Sequence, residues 1–256
     1  MGERAKVYMT ALRCRPGVSL LNKLEKLMRT AGIGEINFER KLVAIKMHFG
    51  EPGNLAFLRP NYAKVVADVV KSLGGVPFLT DCNTLYPGRR KNALEHLDAA
   101  YENGFSPLST GCQVIIGDGL RGNDDVEVPG GGAEYIQTAK IGKAIMEADV
   151  IISLSHFKGH EQTGFGGAIK NLGMGCGSRR GKMEQHAQGK PMVAPRRCVG
   201  CRRCATQCAH GAITFGEDRK ASLDWAKCVG CGRCIAGCHP AAIRPGTDAA
   251  QEGPIG

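Results

Sequence analysis

Up to about residue 190, short apolar runs alternate with stretches whose apolar residues recur every three or four positions. The short runs predict strands at Val7–Leu12, Leu42–Phe49, Pro77–Thr80, Gln113–Ile116 and Val150–Leu154. The longer period predicts helices at Ser19–Arg29, Tyr62–Leu73, Lys91–Glu102 and Lys143–Ala148, with Gly32, Gly74-Gly75 and Gly104 falling where three of them end. Strand–helix alternation of this kind predicts an α/β fold with a largely parallel sheet and flanking helices.

From Pro191 onward the pattern changes. Pro191, Pro195 and the small residues between them read as a linker. Cys198, Cys201, Cys204 and Cys208 then follow the spacing C-x2-C-x2-C-x3-C, which Cys228, Cys231, Cys234 and Cys238 repeat. Between the runs, Ala212–Phe215 and Ala221–Leu223 flank Gly216-Glu217-Asp218 as a small hairpin would. The expected division is an α/β domain at 1–190, a small α+β two-cluster domain at 191–246 and a flexible tail at 247–256, whose sequence lacks apolar periodicity.

Eight of the twelve cysteines lie in these two runs. In this spacing three thiolates wrap one [4Fe-4S] cluster, and the fourth ligates the other. The expected ligand sets are Cys198, Cys201, Cys204 and Cys238 for the first cluster and Cys228, Cys231, Cys234 and Cys208 for the second. The segment resembles the bacterial two-cluster ferredoxin module, down to the matching tails Cys208-Ala-His-Gly-Ala-Ile213 and Cys238-His-Pro-Ala-Ala-Ile243. It departs from that pattern at the proline after the fourth cysteine, which is absent after Cys208 and displaced to Pro240 after Cys238. Structural zinc favours paired knuckles with four ligands, and disulfides suit small secreted domains; a third cysteine at regular spacing in each run fits neither.

Thiols kept for metal, and an N-terminus without an apolar stretch of signal-peptide length, predict a cytoplasmic protein with no membrane span. The formal net charge is +10. Two clusters, each contributing about two negative charges, would lower it to about +6. Arg196, Arg197, Arg202, Arg203 and Arg233 stand beside the cysteines, where they either raise the reduction potential and dock an acidic redox partner or form a solvated basic face. With 5% aromatic residues and no nucleic-acid motif, a nucleic-acid partner is not expected.

In open α/β sheets, ligands gather beyond the carboxyl ends of the strands. Here those ends carry Lys46 and His48; Asp81, Cys82 and Asn83; Asp118; and His156, Lys158 and His160. Period-two geometry puts Lys46 and His48 on one strand face, and aligns His156, Lys158 and His160 if the last strand stays extended. Lys46, His48, Lys158 and His160 are therefore the catalytic candidates, either as a pocket for an anionic small molecule or as solvated and loop-capping residues. The glycine-dense stretch 164–177 offers Gly164, Gly166, Lys170 and Asn171 as anion or cofactor contacts, with a tight structural turn as the alternative; it is neither a Walker A loop nor a dinucleotide fingerprint. Cys176 there is a candidate reactive thiol or extra ligand.

The stretch from Ala148-Asp149-Val150 through His156-Phe157-Lys158-Gly159-His160, then Thr163-Gly164 and Gly167-Ala168-Ile169-Lys170-Asn171-Leu172-Gly173, resembles the DUF362 iron-sulfur proteins, as does Ala44-Ile45-Lys46-Met47-His48-Phe49-Gly50. The resemblance covers nearly the whole chain and implies an α/β domain carrying a C-terminal two-cluster ferredoxin module. The leading expectation is an electron-transfer protein that relays single electrons through two [4Fe-4S] clusters to a partner or to a ligand in the α/β domain. Its rivals are a reductase acting on an anionic small molecule, and a structural or sensory cluster protein that binds a macromolecule.

Overall fold

The computed structural model describes residues 5–85, 88–130, 137–160, 164–187, 190–228 and 230–246, the side chains of His160, His186 and Ala187 excepted. The predicted tail, 247–256, lies outside the described residues. In chain order the first part holds α1 (Leu20–Thr30), β1 (Leu42–Lys46), α2 (Pro60–Ser72), β2 (Val76–Asp81), α3 (Ala93–Glu102), α4 (Pro107–Thr110), β3 (Gln113–Ile116), β4 (Asp125–Pro129), β5 (Thr138–Gly142), α5 (Lys143–Met146) and β6 (Val150–Ser153). There follow β7 (Lys158–His160), β8 (Gly164–Gly166), α6 (Ala168–Gly173) and α7 (Arg179–Ala187). The cysteine region holds β9 (Pro191–Val193), α8 (Arg203–Gln207), β10 (Ile213–Phe215), β11 (Ala221–Leu223), α9 (Arg233–Ala236) and β12 (Ile243–Pro245).

An α/β fold results, with a four-stranded parallel sheet in the order β3-β2-β1-β6 flanked by helices. Central β1 is buried on both faces from Val43 to Lys46, as a strand covered by helices on two sides must be. Helix α2 starts at Pro60, where a missing N–H costs nothing, and turns Ala63, Val66, Ala67 and Val70 toward the sheet. It ends at Gly74, whose φ of +85° lets the Gly75 N–H return to the Val70 carbonyl at 3.0 Å. Ile45, Met47, Phe49, Leu79 and Phe105 form the main core, with the Phe49 and Phe105 rings 5.4 Å apart.

Three expectations are corrected. Val7–Leu12 is not a strand: no sheet edge reaches it, and Val7, Met9 and Leu12 are each more than 80% exposed, so alternation without a pairing partner does not make a ladder. The last strand ends at Ser153 and does not run on to His160; the chain turns and pairs Lys158–His160 with Gly164–Gly166 instead. Pro191–Val193 is not a linker but β9, antiparallel to β12.

The cysteine region has internal pseudo-symmetry. Its first half supplies β9, α8 and β10, its second β11, α9 and β12, and the halves interlock because β9 pairs with β12 and β10 with β11. The predicted hairpin is β10–β11. Cys198, Cys204, Cys234 and Cys238 are buried together with Ile213, Ile235 and Ile243, and Leu85 and Met183 from the α/β part join the same apolar core.

Leu79→Ala, fully buried in the main core, is expected to lower unfolding free energy by about 2–5 kcal/mol, while Leu108→Ala, at a 99% exposed position, should stay within about 0.5 kcal/mol of the parent. Denaturant titration followed by circular dichroism measures both.

Candidate functional site

The carboxyl ends of β1, β2 and β6 open into a cavity of about 370 Å³, bounded also by the β7–β8 hairpin and α6. Because parallel neighbours end side by side, Lys46 is in register with Thr80 and Ser153, and the next residues of each strand enter one space. Lys46, His48, His156, Lys158, Gly166, Lys170 and Asn171 all line it; Gly164 is in β8 but does not, and the His160 side chain is outside the described residues.

Lys46 is 1% exposed, and its Nζ donates to the Met47 carbonyl at 3.1 Å and to Asn171 Oδ1 at 2.8 Å while standing 3.0 Å from Asp81 Oδ1. Its three donors are thus all engaged. Asn171 in turn donates from Nδ2 toward the Lys46 carbonyl, Ser153 Oγ and Ser155 Oγ at 3.0–3.1 Å, tying α6 to β1 and β6. These two residues build the cavity floor.

Asp81 gathers the charge of the floor. Burial alone would raise its pKa, but Lys46, then His96, Lys182 and Arg90, outweigh burial and hold the carboxyl well below the usual carboxylate range. Arg90 reaches Asp81 at 3.7 Å and donates to Glu51 Oε2 at 2.8 Å. Lys182, 7% exposed, donates to the carbonyls of Asn83 at 3.0 Å and Gly177 at 2.8 Å.

Two imidazoles are kept neutral. Burial, then Arg90, lowers the pKa of His48 to about 4. Burial, only partly offset by Asp81, lowers that of His96 to about 3. Part of the His48 surface opens to the cavity, so water there moderates its burial; His96 is fully enclosed against Phe49, with no such relief. At the cavity mouth, Lys170 has its pKa lowered by burial and then by Lys158. Two cations crowded at one opening favour an anion between them. Burial raises the pKa values of the Cys82 and Cys176 thiols, which argues against either as a thiolate nucleophile.

Among the cysteines of the repeat, burial raises the Cys204 thiol, with Cys238 and Cys198 adding to the rise. Burial pushes Cys234 up to about 12, with Cys231 and Cys228 the strongest of its thiol neighbours and Cys208 also contributing. Backbone amides already point at sulfur: Ala221 N–H at Cys198 Sγ (3.4 Å), Ala212 N–H at Cys208 Sγ (3.4 Å) and Ala242 N–H at Cys238 Sγ (3.2 Å). Such donors suit anionic, metal-bound thiolates. Among the described residues no three His, Cys, Asp or Glu side chains converge as ligands of a single ion. A cubane asks for a different arrangement, since each thiolate binds its own iron.

The family pattern described as "Domain of unknown function (DUF362)" matches residues 43–239, from β1 through the last repeat cysteine. The chain belongs to the DUF362 family. Among the relatives of this DUF362 chain, a thylakoid-associated protein of Synechocystis sp. is 30% identical over 167 residues, which is 62% of the present chain and 46% of the relative. The chain therefore spans less than half of that relative's length. Among solved structures, the lactate racemase apoprotein from Thermoanaerobacterium thermosaccharolyticum aligns with a TM-score of 0.42 at 12% identity, over 87% of this chain and 42% of that one. Membership in DUF362 and a cysteine-rich sequence are compatible with iron-sulfur binding. No helix among the described residues is long and apolar enough to cross a membrane.

Several site residues of this DUF362 chain escape sequence reasoning. Arg90 and Glu51 lie on loops past the strand ends and His96 and Lys182 on helices, so no strand-end pattern marks them. Asp81 and Asn83 are visible as polar strand-end residues, but their partners are not.

Lys46→Met is expected to cost about 3–5 kcal/mol by stranding Asp81, and adding Asp81→Leu should recover part of that loss. Thermal unfolding of the three variants reads the coupling. For both imidazoles the folded state takes up its proton less readily than the unfolded chain, so the stability they contribute is complete above about pH 6.5 and declines as pH falls toward about 4 for His48 and about 3 for His96. Nitrogen NMR at pH 5.5 should find the His96 ring neutral.

Proposed function

We propose that this chain is an iron-sulfur electron-transfer protein in which residues 191–246 hold a pair of [4Fe-4S] clusters that relay single electrons to a partner or to an anionic ligand held by residues 1–190. The ligand sets are Cys198, Cys201, Cys204 and Cys238, and Cys228, Cys231, Cys234 and Cys208. When bound, the clusters would supply electrons one at a time.

One observation carries this reading: the strand-end cavity and the cysteine core share a wall. Leu85 lines the cavity and is also buried among the cysteines. On α7, Lys182 faces the cavity while its neighbour Met183 packs into the cysteine core. A ferredoxin needs no such neighbour, and a ligand-binding domain needs no cysteines at its back wall.

The opposite side of the cysteine region offers an entry point. Cys201 is exposed, and Arg196, Arg197, Arg202 and Arg203 around it are exposed as well, with the Arg202 guanidinium 5.5 Å from the centre of the Phe215 ring. That surface suits an acidic redox partner. In the cavity, His48, Lys158 and Lys170 attract and orient the anion, while Lys46, Asp81 and Asn171 fix the floor. The cationic mouth also favours a second reading, in which the ligand is consumed and the chain is a reductase of anionic small molecules.

Anaerobically prepared protein should contain about eight iron and eight acid-labile sulfide per chain, with reduced clusters visible by low-temperature EPR. Cys208→Ser should impair the cluster of Cys228, Cys231 and Cys234, and Cys238→Ser the cluster of Cys198, Cys201 and Cys204. Zinc in place of iron overturns the proposal, and loss of the opposite cluster in each variant overturns the crossed ligand sets.

A further inference from the structure

Among the described residues, Arg179 is the largest side chain that is fully buried, with 0% exposure. Its backbone N–H donates to Asp118 Oδ2 at 2.9 Å, its Nε to the Thr84 carbonyl at 3.1 Å and its Nη1 to the Arg121 carbonyl at 2.7 Å. Nη2 has no hydrogen-bond partner. Asp118, the carboxylate of this region, spends its oxygens on N–H groups of Asn83 and of the Arg179 backbone.

A buried guanidinium keeps its proton, and an uncompensated buried charge is strongly unfavourable. Burial lowers its pKa only to about 10, so it remains charged at neutral pH; Asp118 is the first of the neighbours that favour its charge, followed by the sulfurs of Cys231 and Cys234. The side chain lies against the turn at Gly232, where a Cβ would stand 3.0 Å from Arg179 Cδ. Gly232 has φ +69° and sits between Cys231 and Cys234. The stem of the side chain thus packs on the second cysteine loop, while its guanidinium is held by the Thr84 and Arg121 carbonyls beside Gly122.

We propose that Arg179 is a positioning residue that sets the reduction potential of the cluster held by Cys228, Cys231, Cys234 and Cys208, its fixed positive charge beside the Gly232 turn favouring the reduced, more negative form. The inference rests on the cluster reading above. Arg179 and Met183 belong to one face of α7 and both approach the Gly232 turn. The cluster tuned by Arg179 is therefore the one backed by the helix that also lines the cavity. Raising that potential draws the electron from the exposed Cys201 side toward the cavity side.

The test is an EPR-monitored redox titration of the full chain with its clusters. Arg179→Gln should make one of the two clusters about tenfold harder to reduce, a shift of about 59 mV for one electron, and leave the other unmoved. Arg179→Lys, which keeps the charge but loses the fork, should fall between parent and Gln variant. The affected signal should be the one impaired in Cys208→Ser. If Arg179→Gln does not hold its clusters, the Lys variant decides, with a downward shift of one cluster alone expected. Unchanged potentials, or equal shifts of both clusters, in protein with full iron and sulfide content overturn the role of Arg179. Absence of iron from the parent protein would instead overturn the cluster reading.

Discussion

A buried cation has to meet negative charge or carbonyl dipoles, and among the described residues three are buried: Lys46, Lys182 and Arg179. Each finds a different answer. Lys46 meets the Asp81 carboxylate, Lys182 meets the carbonyls of Asn83 and Gly177, and Arg179 meets the carbonyls of Thr84 and Arg121 while its stem packs on the second cysteine loop. Asp81, at the end of β2, pairs with Lys46, and Asp118, just past β3, accepts the Arg179 backbone N–H, so polar contacts join the sheet, the cavity floor and α7 beside the apolar packing.

The apolar alternation was sufficient to read the sheet. β1, β3 and β6 fall inside the predicted runs, β2 overruns its own by one residue at each end, and the helix ends at Gly74 and Gly104 follow from the need for positive φ there. It failed where pairing decides. Val7–Leu12 has the pattern of a strand but no edge to join, and Pro191–Val193 has the composition of a linker but meets β12, a partner some fifty residues away that local pattern cannot reveal.

The cavity was legible in outline only. Polar residues after apolar runs pointed to Lys46, His48, His156 and Lys158, since parallel strands must end together. What those residues do was not legible. Lys46 and Asn171 looked like ligand contacts because they are polar and well placed, yet their hydrogen-bonding capacity is largely spent on Asp81, Ser153, Ser155 and each other. His48, Lys158 and Lys170 line the cavity nearer its mouth. Sequence spacing reports where a residue can go, while only the count of satisfied donors separates a floor from a binding face.

That distinction bears on how a two-part protein can work as one. If the cysteine region were a carrier tethered to an unrelated domain, its contact with the sheet could be small, polar and exchangeable. Instead Leu85 and Met183 are buried in the cysteine core, and the stem of Arg179 packs on the Gly232 turn. Separating the halves would expose that apolar surface, so the two cost each other stability when apart. A contact of that kind fixes distance and orientation between the cysteine sulfurs and the cavity, which a tether would leave free.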